Sequence, residues 1–504
     1  MTCKARILVY LFSGKVEQRP TFARLGLENV LAAILRYFSG AMGWKLTTFF
    51  VVVAVAIAVL FSGVLETPPE PLEFQDNYWG RGAKPSPDTK EDEKVYGIIV
   101  NVSDSAIADL KNRLLSTRFF EALEDVQFQY GFHRDYMIDL VNYWKTQYDW
   151  RKQEAYLNTF LHYKTKIEGI DVHFIRVKPK LKPGQTAKPL LLVHGWPGSV
   201  FEFYKMIPML VDPTSHGGSE DDVFEVIAPS IPGYGFSEVP HKKGFDQIAA
   251  GQMFLKLMER LGFEKFYVQG GDWGALITRS MALLKPSVIK GLHMNMPTVK
   301  FSAVYGFYLM LGSVAPSLAG LKEEDYDKVY PASRQLFFTL QESGYYHLQA
   351  SKPDTVGFAL NDSPVGLAAY ILEKFSTWTN PANRDLSDGG LEKYYTKDDM
   401  LTSVMIYWLT GTITSSMRFY KEEFAGKAME TNRMQVTVPT GIASFPHELG
   451  HNPEAFCRLF HPNLVHYTLM PDGGHFAAKE KPALLAEDIR TFVKKVESLK
   501  SKDE

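Results

Sequence analysis

Residues 266–275 of this chain read FYVQGGDWGA, and this stretch decides the predicted fold. Its first three residues are typical of the end of a buried strand, and the sequence from Ala275 onward is typical of a helix start. Gly270 and Gly274 flank Asp272. A strand that turns at once into a helix strains its apex residue and needs small neighbours where the two elements approach. The stretch therefore predicts a nucleophile elbow with Asp272 at its apex. An aspartate that caps a helix is the plainer alternative.

The composition is that of a large globular protein. The chain has 504 residues, 45% of them hydrophobic and 22% charged, with a formal net charge of −2. A chain of this length buries a sizeable core and is long for one domain. The near-neutral charge, without a basic arm, argues against nucleic acid as a partner, and nothing indicates an oligomeric state. The only cysteines, Cys3 and Cys457, exclude a disulfide framework and a cysteine-rich metal site.

An apolar run without a charged residue occupies positions 46–65. About 20 apolar residues span a bilayer as a helix, so the run predicts a membrane anchor, preceded by an extension at 1–45. A cleaved signal peptide is the alternative, but its apolar region would be shorter and would end at a small-x-small site. Met42 would make a natural alternative start. Basic residues before the run and acidic residues after it favour a cytosolic N-terminus.

The remaining chain divides by its pattern of apolar residues. Residues 66–95 are rich in Pro, Glu, Asp and Lys and predict a linker, and 96–160 show the helical spacing of a lead-in segment. Strands alternate with helices over 161–299 and again over 426–504, which predicts an α/β core with a mostly parallel sheet. The intervening residues 300–425 are helical and aromatic, as expected of a cap inserted over an active site.

Individual elements follow from the same patterns. The predicted strands are 165–167, 172–177, 189–193, 223–229, the strand before the elbow, 291–297, 436–443 and 464–470. The predicted helices outside the cap are 107–123, 136–150, 248–261 and a closing helix from 482 to about 499.

Two loops are expected to meet the elbow. One follows a strand upstream of it and consists of His194, Gly195, Trp196 and Pro197. In this architecture such a loop offers one backbone N–H to an oxyanion, here that of Trp196, and the Trp273 N–H offers the other. The second loop follows the last strand and carries His475, at the place of the general base. A simple turn and a surface histidine are the plainer interpretations.

The acid that orients His475 is expected after the penultimate strand, which points to Glu448. Asp472 ranks second because it is too close to His475 in sequence to orient the ring comfortably. Asp398 and Asp399 lie in the predicted cap and rank third.

Residues 447–451 read HELGH and match a zinc-binding pattern. That chemistry needs both histidines one turn apart on a helix and a third ligand. Pro446 before the stretch, Gly450 inside it and Asn452-Pro453 after it oppose such a helix. No metal and no organic cofactor are therefore predicted.

An aspartate nucleophile selects the reaction. A serine that attacked saturated carbon would leave an ether that water cannot readily release, whereas a carboxylate leaves an ester that an activated water hydrolyses. The predicted chemistry is displacement at carbon, either epoxide opening or halide displacement. A halide needs N–H donors, whereas an epoxide oxygen needs acidic donors such as tyrosine hydroxyls from the cap.

With these motifs, the chain resembles the microsomal epoxide hydrolases, the membrane-anchored branch of the α/β-hydrolase fold that includes the insect juvenile-hormone epoxide hydrolases. The resemblance covers nearly everything from the anchor to the C-terminal helix, and only the first 41 residues depart from it. The stretches that carry it are 194–199, 270–274, 342–345, 352–357, 372–378, 418–420, 445–448 and 474–478.

The resemblance implies that Asp272 is the nucleophile, His475 the base and Glu448 its partner. It also implies that Tyr345 and Tyr420 donate to the epoxide oxygen, although the sequence alone does not separate Tyr345 from the adjacent Tyr346.

The implied activity converts lipophilic epoxides to vicinal diols through an ester of Asp272. The implied location is the endoplasmic reticulum membrane, with the catalytic domain in the cytosol, whereas the charges that flank residues 46–65 lean the other way. A haloalkane dehalogenase, in which Trp273 would also fit, and a non-catalytic binder of lipophilic epoxides are the alternatives.

Overall fold

The computed structural model describes residues 70–297, 303–431 and 433–500. The predicted anchor at 46–65 and the extension before it lie outside these residues. Among the helices of the described ranges, none is both long and apolar enough to cross a membrane. Residues 70–95, in the predicted linker, contain no helix or strand.

A nine-stranded sheet is the centre of the fold, in the order β1-β2-β3-β5-β4-β6-β7-β8-β9. The pairs β1–β2, β2–β3 and β3–β5 are antiparallel, and every other pair is parallel. The strands are β1 Tyr96–Ile98, β2 His162–Ile167, β3 Ile170–Val177, β4 Lys188–Val193, β5 Phe224–Pro229, β6 Phe266–Gly270, β7 Ile289–Met294, β8 Thr440–Ser444 and β9 Leu464–Leu469. This architecture confirms the predicted α/β-hydrolase type of fold, with its mostly parallel sheet.

Helices cover the sheet and fill the insertion between β7 and β8. They are α1 Asp104–Leu115, α2 Arg134–Thr146, α3 Trp150–Leu157, α4 Ile207–Val211, α5 Gln247–Arg260, α6 Trp273–Leu284, α7 Ala303–Val314, α8 Glu323–Val329, α9 Ala332–Glu342, α10 Gly344–Ser351, α11 Pro353–Asp362, α12 Pro364–Thr377, α13 Leu391–Tyr394, α14 Lys397–Thr410, α15 Ile413–Ala425, α16 Ala428–Thr431, α17 Glu454–Phe460, α18 Ala477–Glu480 and α19 Pro482–Lys500.

The central strands are buried on both faces. Leu190 to Val193 in β4 and Phe266 to Val268 in β6 expose 1% of their surface or less. Strands covered by helices on both sides lose the alternation of polar and apolar residues that marks a half-exposed strand. This burial explains why the sequences of both strands are continuous apolar runs.

The strand–turn–helix at the predicted elbow is present. Strand β6 ends at Gly270, helix α6 begins at Trp273, and Asp272 between them has φ of +50° and ψ of −129°. A Cβ at Gly270 would lie 2.3 Å from the backbone of Gly274, and a Cβ at Gly274 would lie 1.9 Å from the Val193 carbonyl oxygen. The two glycines are therefore needed because α6 starts in contact with both β6 and β4.

The predicted helical cap is present as helices α8 to α15, and no strand interrupts the described residues between β7 and β8. Residues 303–323, with α7 and a 3-10 turn at Pro316–Ala319, form part of a separate compact unit. The domain boundaries drawn at 96–160, 161–299, 300–425 and 426–504 stay predictions.

Several element boundaries differ from the sequence prediction. The helix predicted over 107–123 ends at Leu115, because the apolar residues beyond it, such as Phe120 at 68% exposure, do not face the core. Strand β1, at Tyr96–Ile98, lies inside the segment predicted to be helical. Strand β8 begins at Thr440 and not at 436, and Pro439 directly before it has no N–H for the ladder.

We expect Gly274→Ala to lower the melting temperature by several degrees. Its Cβ would meet the Val193 carbonyl oxygen at 1.9 Å, so strand β4 or helix α6 must move, and overpacking of this kind costs about 1–3 kcal/mol. Thermal melts followed by circular dichroism would measure the change.

Gly97→Ala is the matched control, because its nearest contact would be a carbonyl oxygen at 3.9 Å. Equal melting temperatures for the two variants would contradict the close approach of α6 to β4.

Candidate active site

The carboxyl ends of four parallel strands carry the predicted site residues. The loop at 194–197 follows β4, Asp272 follows β6, Glu448 follows β8 and His475 follows β9. Strands β4 and β6 are neighbours, with Val193 opposite Gly270. Because carboxyl ends of parallel strands share one edge, residues far apart in sequence come together there.

The Asp272 carboxylate is held by the loop after β4. The Trp196 N–H donates to Asp272 Oδ1 at 2.7 Å. A Cβ at Gly195 would lie 2.3 Å from the same oxygen, so a glycine is required for this approach. Trp273 is the first residue of α6, and a first-turn N–H has no partner within its helix. The N-terminal end of that helix also favours negative charge.

His194 supports this loop and stays neutral. The Ile231 N–H donates to His194 Nε2 at 3.1 Å, so the ring proton is on Nδ1, which lies 3.0 Å from the Gly195 carbonyl oxygen. Burial lowers the pKa of His194 to about 4. The neutral His194 ring therefore holds the loop backbone through hydrogen bonds. In the same loop, the peptide bond between Trp196 and Pro197 is cis.

His475 lies between two carboxylates. Its Nδ1 is 2.6 Å from Glu448 Oε1, and its Nε2 is 3.5 Å from Asp272 Oδ2. The His475 backbone N–H donates to the Trp378 carbonyl oxygen at 3.0 Å, and the two rings pack edge to face at 4.9 Å. Burial lowers the pKa of His475, but the Glu448 and Asp272 carboxylates outweigh burial and hold that pKa well above its usual range.

The other carboxylates considered for the acid have different partners. Asp472 forms an ion pair with Lys481 and accepts the Gly473 N–H. Asp398 accepts hydrogen bonds from Tyr143 at 2.9 Å and Gln153 at 3.0 Å, and Asp399 pairs with Lys205 at 2.8 Å. The structure thus places Glu448, and none of these three, against the His475 ring.

The HELGH stretch forms a loop and not a helix. His447 Nε2 lies 3.2 Å from the Asn380 amide, whereas His451 Nε2 lies 2.7 Å from Asp325. Within the part of the chain that the structure describes, no three His, Cys, Asp or Glu residues cluster as metal ligands. Glu448, the middle member of the pattern, is directed to His475.

Tyr345 and Tyr420 form an aromatic wall with two tryptophans beside Asp272. The Tyr345 ring stacks on Trp196 with centroids 5.3 Å apart, and the Tyr420 ring meets Trp273 edge to face at 4.7 Å. The two tyrosine rings are 5.9 Å apart. Helices α10 and α15 of the cap supply them. Both predicted donors therefore belong to one cluster.

The structure separates Tyr345 from its neighbour. The Tyr346 hydroxyl donates to Glu423 Oε2 at 2.6 Å and is already occupied. The Tyr420 hydroxyl is buried without a normal hydrogen bond among the described residues, and the Tyr345 hydroxyl and Trp273 indole are its neighbours. Burial and the Asp272 charge raise the pKa of Tyr345 well above the usual range, and burial, Tyr345 and Asp272 do the same for Tyr420. Both hydroxyls therefore keep their protons.

Sequence reasoning missed two groups at this site. Trp378 packs on His475 and Tyr345. It lies in the stretch 372–378, but nothing in that stretch marks the tryptophan as a site residue. Glu202 lines the cavity that also reaches Asp272 and His475. No pattern marks a glutamate eight residues after His194, so only the folded loop reveals it.

Two family models match the chain. One is described as the epoxide hydrolase N terminus and matches residues 96–203, and the other as the alpha/beta hydrolase fold and matches residues 188–445. The first covers the lead-in and the loop after β4, and the second spans the elbow, the cap and the start of the loop that holds Glu448.

Curated relatives and solved structures agree with the models. The chain is 53% identical to epoxide hydrolase 1 of Oryctolagus cuniculus, over 85% of this chain and 94% of the relative. It is 43% identical to juvenile hormone epoxide hydrolase 2 of Ctenocephalides felis, over 88% and 94%. The crystal structure of the juvenile hormone epoxide hydrolase of Bombyx mori superposes with a TM-score of 0.80 at 41% identity, over 84% and 99%. The chain belongs to the epoxide hydrolase family of the α/β-hydrolase fold.

Proposed function

We propose that this enzyme hydrolyses lipophilic epoxides to vicinal diols through a covalent ester of Asp272. The proposal rests on the groups that surround the Asp272 carboxylate. The Trp196 N–H holds Oδ1, His475 Nε2 lies beside Oδ2, and the tyrosine wall of the cap stands near both. Such an arrangement suits displacement at carbon followed by ester hydrolysis.

In the first step, Asp272 Oδ2 attacks one carbon of the epoxide and the ring C–O bond breaks. Oδ1, already bonded to the Trp196 N–H, becomes the carbonyl oxygen of the ester. The ring oxygen takes up one proton, and the Tyr345 and Tyr420 hydroxyls donate to it as charge develops. Their raised pKa values keep both hydroxyls protonated near neutral pH, so they act as hydrogen-bond donors.

In the second step, water attacks the ester carbonyl carbon and gives its proton to His475 Nε2. The oxyanion that forms on Oδ1 is stabilised by the Trp196 N–H and by the N-terminus of α6. When it collapses, the bond to the diol oxygen breaks and the diol leaves with a proton. That proton comes from the new hydroxyl group of the tetrahedral intermediate, so Asp272 is regenerated as a carboxylate and His475 ends protonated, as in the free enzyme.

Formation of the Asp272 ester lowers the pKa of His475 and so converts this residue into a base. In the free enzyme two carboxylates hold the pKa of His475 high, so the ring is protonated and is no base. Alkylation removes the charge of Asp272, which is one of these two contributions, and the pKa of His475 falls. The ring then loses its proton, which balances the one taken up by the epoxide oxygen, and a neutral imidazole is available to accept a proton from water.

The aromatic wall and the relatives together support lipophilic substrates. Tyr345, Tyr420, Trp196 and Trp273 present aromatic rings beside Asp272. The relatives are named for epoxides and for juvenile hormone, which suits an apolar epoxide. The apolar run at 46–65 supports anchoring in a membrane, with the endoplasmic reticulum as the proposed location. Family membership sets aside the dehalogenase and the non-catalytic binder.

His475→Ala is expected to trap the ester. Alkylation needs only Asp272 and the tyrosines, whereas hydrolysis loses its base, so turnover should fall by about 10²–10⁴-fold. Intact and peptide mass spectrometry after exposure to stilbene oxide should show an adduct of the epoxide's mass on the peptide that holds Asp272. Absence of the adduct, with wild-type diol formation intact, would make Asp272 a base for direct water attack.

Tyr345→Phe and Tyr420→Phe are each expected to slow alkylation about 10- to 100-fold, because one of two donors to the ring oxygen is lost. Rapid-quench measurement of ester formation reports this step alone. Tyr346→Phe is the matched control, since its hydroxyl bonds to Glu423, and it should alkylate at the wild-type rate. A slow Tyr346→Phe with a normal Tyr345→Phe would reverse the assignment.

Glu448→Gln is expected to shift the pH profile of ester hydrolysis to lower pH. Glu448 raises the pKa of His475, so its loss lowers that pKa and leaves the ring neutral at a lower pH. The plateau rate should fall as well, because the oriented 2.6 Å contact is weakened. Ester decay measured against pH in single turnovers tests both changes, and an unshifted midpoint would contradict the electrostatic role of Glu448.

A further inference from the structure

A small cavity lies behind the nucleophile and the base. Its centre offers about 20 Å³, which is room for one water molecule. The polar side chains that line it are those of Asp272, His475, Glu202, Gln269 and Asn295. Its lining comes from the core of the fold, and neither Tyr345 nor Tyr420 is part of it, although Trp196 is. The cavity is therefore separate from the two tyrosine hydroxyls that would bind the epoxide oxygen.

Glu202 is fixed in this cavity by the loop after β4. It belongs to the 3-10 turn Val200–Phe203, whose N-terminus is capped by the Ser199 hydroxyl. A Cβ at Gly198 would lie 2.2 Å from Glu202 Oε2, so the glycine creates the space that the carboxyl group occupies. The loop that supplies the Trp196 N–H thus also delivers a carboxyl group to the other side of the site.

The Glu202 carboxyl group has no hydrogen-bonding partner among the described residues, and its charged neighbours are His475, Lys479 and Asp272. Burial raises the pKa of Glu202 to about 8, a rise that Asp272 assists and that His475 and Lys479 oppose. At neutral pH the group is therefore a carboxylic acid. It can donate one hydrogen bond and accept others, as a bound water requires.

The amide side of the cavity is rigid. Gln269 Nε2 donates to Asn295 Oδ1 at 2.9 Å, and the Asn295 backbone N–H donates to the Gly270 carbonyl oxygen at 3.3 Å. A Cβ at Gly271 would lie 2.5 Å from the Asn295 amide. Gln269 Oε1 is buried and has no hydrogen-bond partner within the described ranges. The cavity therefore combines fixed polar walls with unused hydrogen-bonding capacity, which favours a bound water.

We propose that this cavity binds the water that hydrolyses the Asp272 ester and that Glu202 is the residue that positions it. The inference rests on the proposed function and names a further residue for its second step. The water donates one hydrogen to His475 Nε2 and the other to the Glu202 carboxyl group, which turns its oxygen toward the ester carbon. The C–O bond forms as the first proton passes to His475. Glu202 keeps its own proton count throughout.

The placement predicts an effect on one step only. Neither tyrosine that would donate to the epoxide oxygen lines the cavity of Glu202, so removing Glu202 should leave epoxide opening intact, while an unpositioned water attacks more slowly. Glu202→Leu should slow ester hydrolysis about tenfold or more and change the alkylation rate by less than about twofold. Because the ester then accumulates, kcat and KM should fall together.

Single-turnover rapid quench with stilbene oxide, on the full chain, measures both rate constants. Glu202→Gln keeps a donor and an acceptor and should recover most of the hydrolysis rate. It should also lose the inflection that ionisation of Glu202 adds to the wild-type pH profile of hydrolysis. Glu225→Gln is the matched control, since Glu225 on strand β5 pairs with Arg176 on strand β3 and does not line the cavity. Both rate constants of this variant should be those of the wild type.

Each contrary result has a separate meaning. Equal slowing of both steps in Glu202→Leu would show a structural role and overturn the proposal. Unchanged hydrolysis in Glu202→Leu, with the ester still detected on Asp272, would overturn it and leave the proposed function standing. Absence of any ester in the wild type, with diol still formed, would instead overturn the covalent mechanism itself.

Discussion

The backbone of one residue, Asp272 at φ of +50°, is the constraint on which the rest of the site depends. It lifts a carboxylate to the sheet edge at the start of a helix, where the N-terminal N–H groups and the loop after β4 can reach it. Strain of this kind persists only where the surroundings fix it. Here Gly270 and Gly274 let helix and strands touch, and Gly195 lets the loop approach Oδ1. The same closeness sets the positions of Trp196, His194 and, further along the loop, Glu202.

Burial shifts the pKa of each of these ionisable groups, and the neighbouring charges decide whether burial dominates. His475 has carboxylates on both sides, so its pKa rises in spite of burial. Glu202 has no hydrogen-bonded partner in the described part of the chain, so burial dominates and its pKa rises to about 8. His194 accepts a backbone N–H, and burial lowers its pKa to about 4. One protonated imidazole, one neutral carboxylic acid and one neutral imidazole thus arise close to Asp272.

The elbow, most of the strands along the chain and the loops that follow them could be predicted from the sequence, because these features depend on local backbone requirements. The sequence did not separate Tyr345 from Tyr346. Adjacent residues point to different faces of a helix, and packing of α10 on α15 decides which face meets the site. Glu202 was missed for a similar reason, since its role depends on space created by Gly198. The end of α1 at Leu115 was also missed, because helical spacing continues into residues that have no core to face.

The nucleophile and the base lie on opposite sides of the cap insertion along the chain. Asp272 leaves β6, before the cap, whereas Glu448 and His475 follow β8 and β9 near the C-terminus. A chain still being synthesised can therefore assemble the elbow and the tyrosine wall before its last two strands exist. In the proposed mechanism, an epoxide that reacted with such a chain would form an ester that has no base to release it. In that mechanism, completion of β9 is the event that lets the chain release the diol.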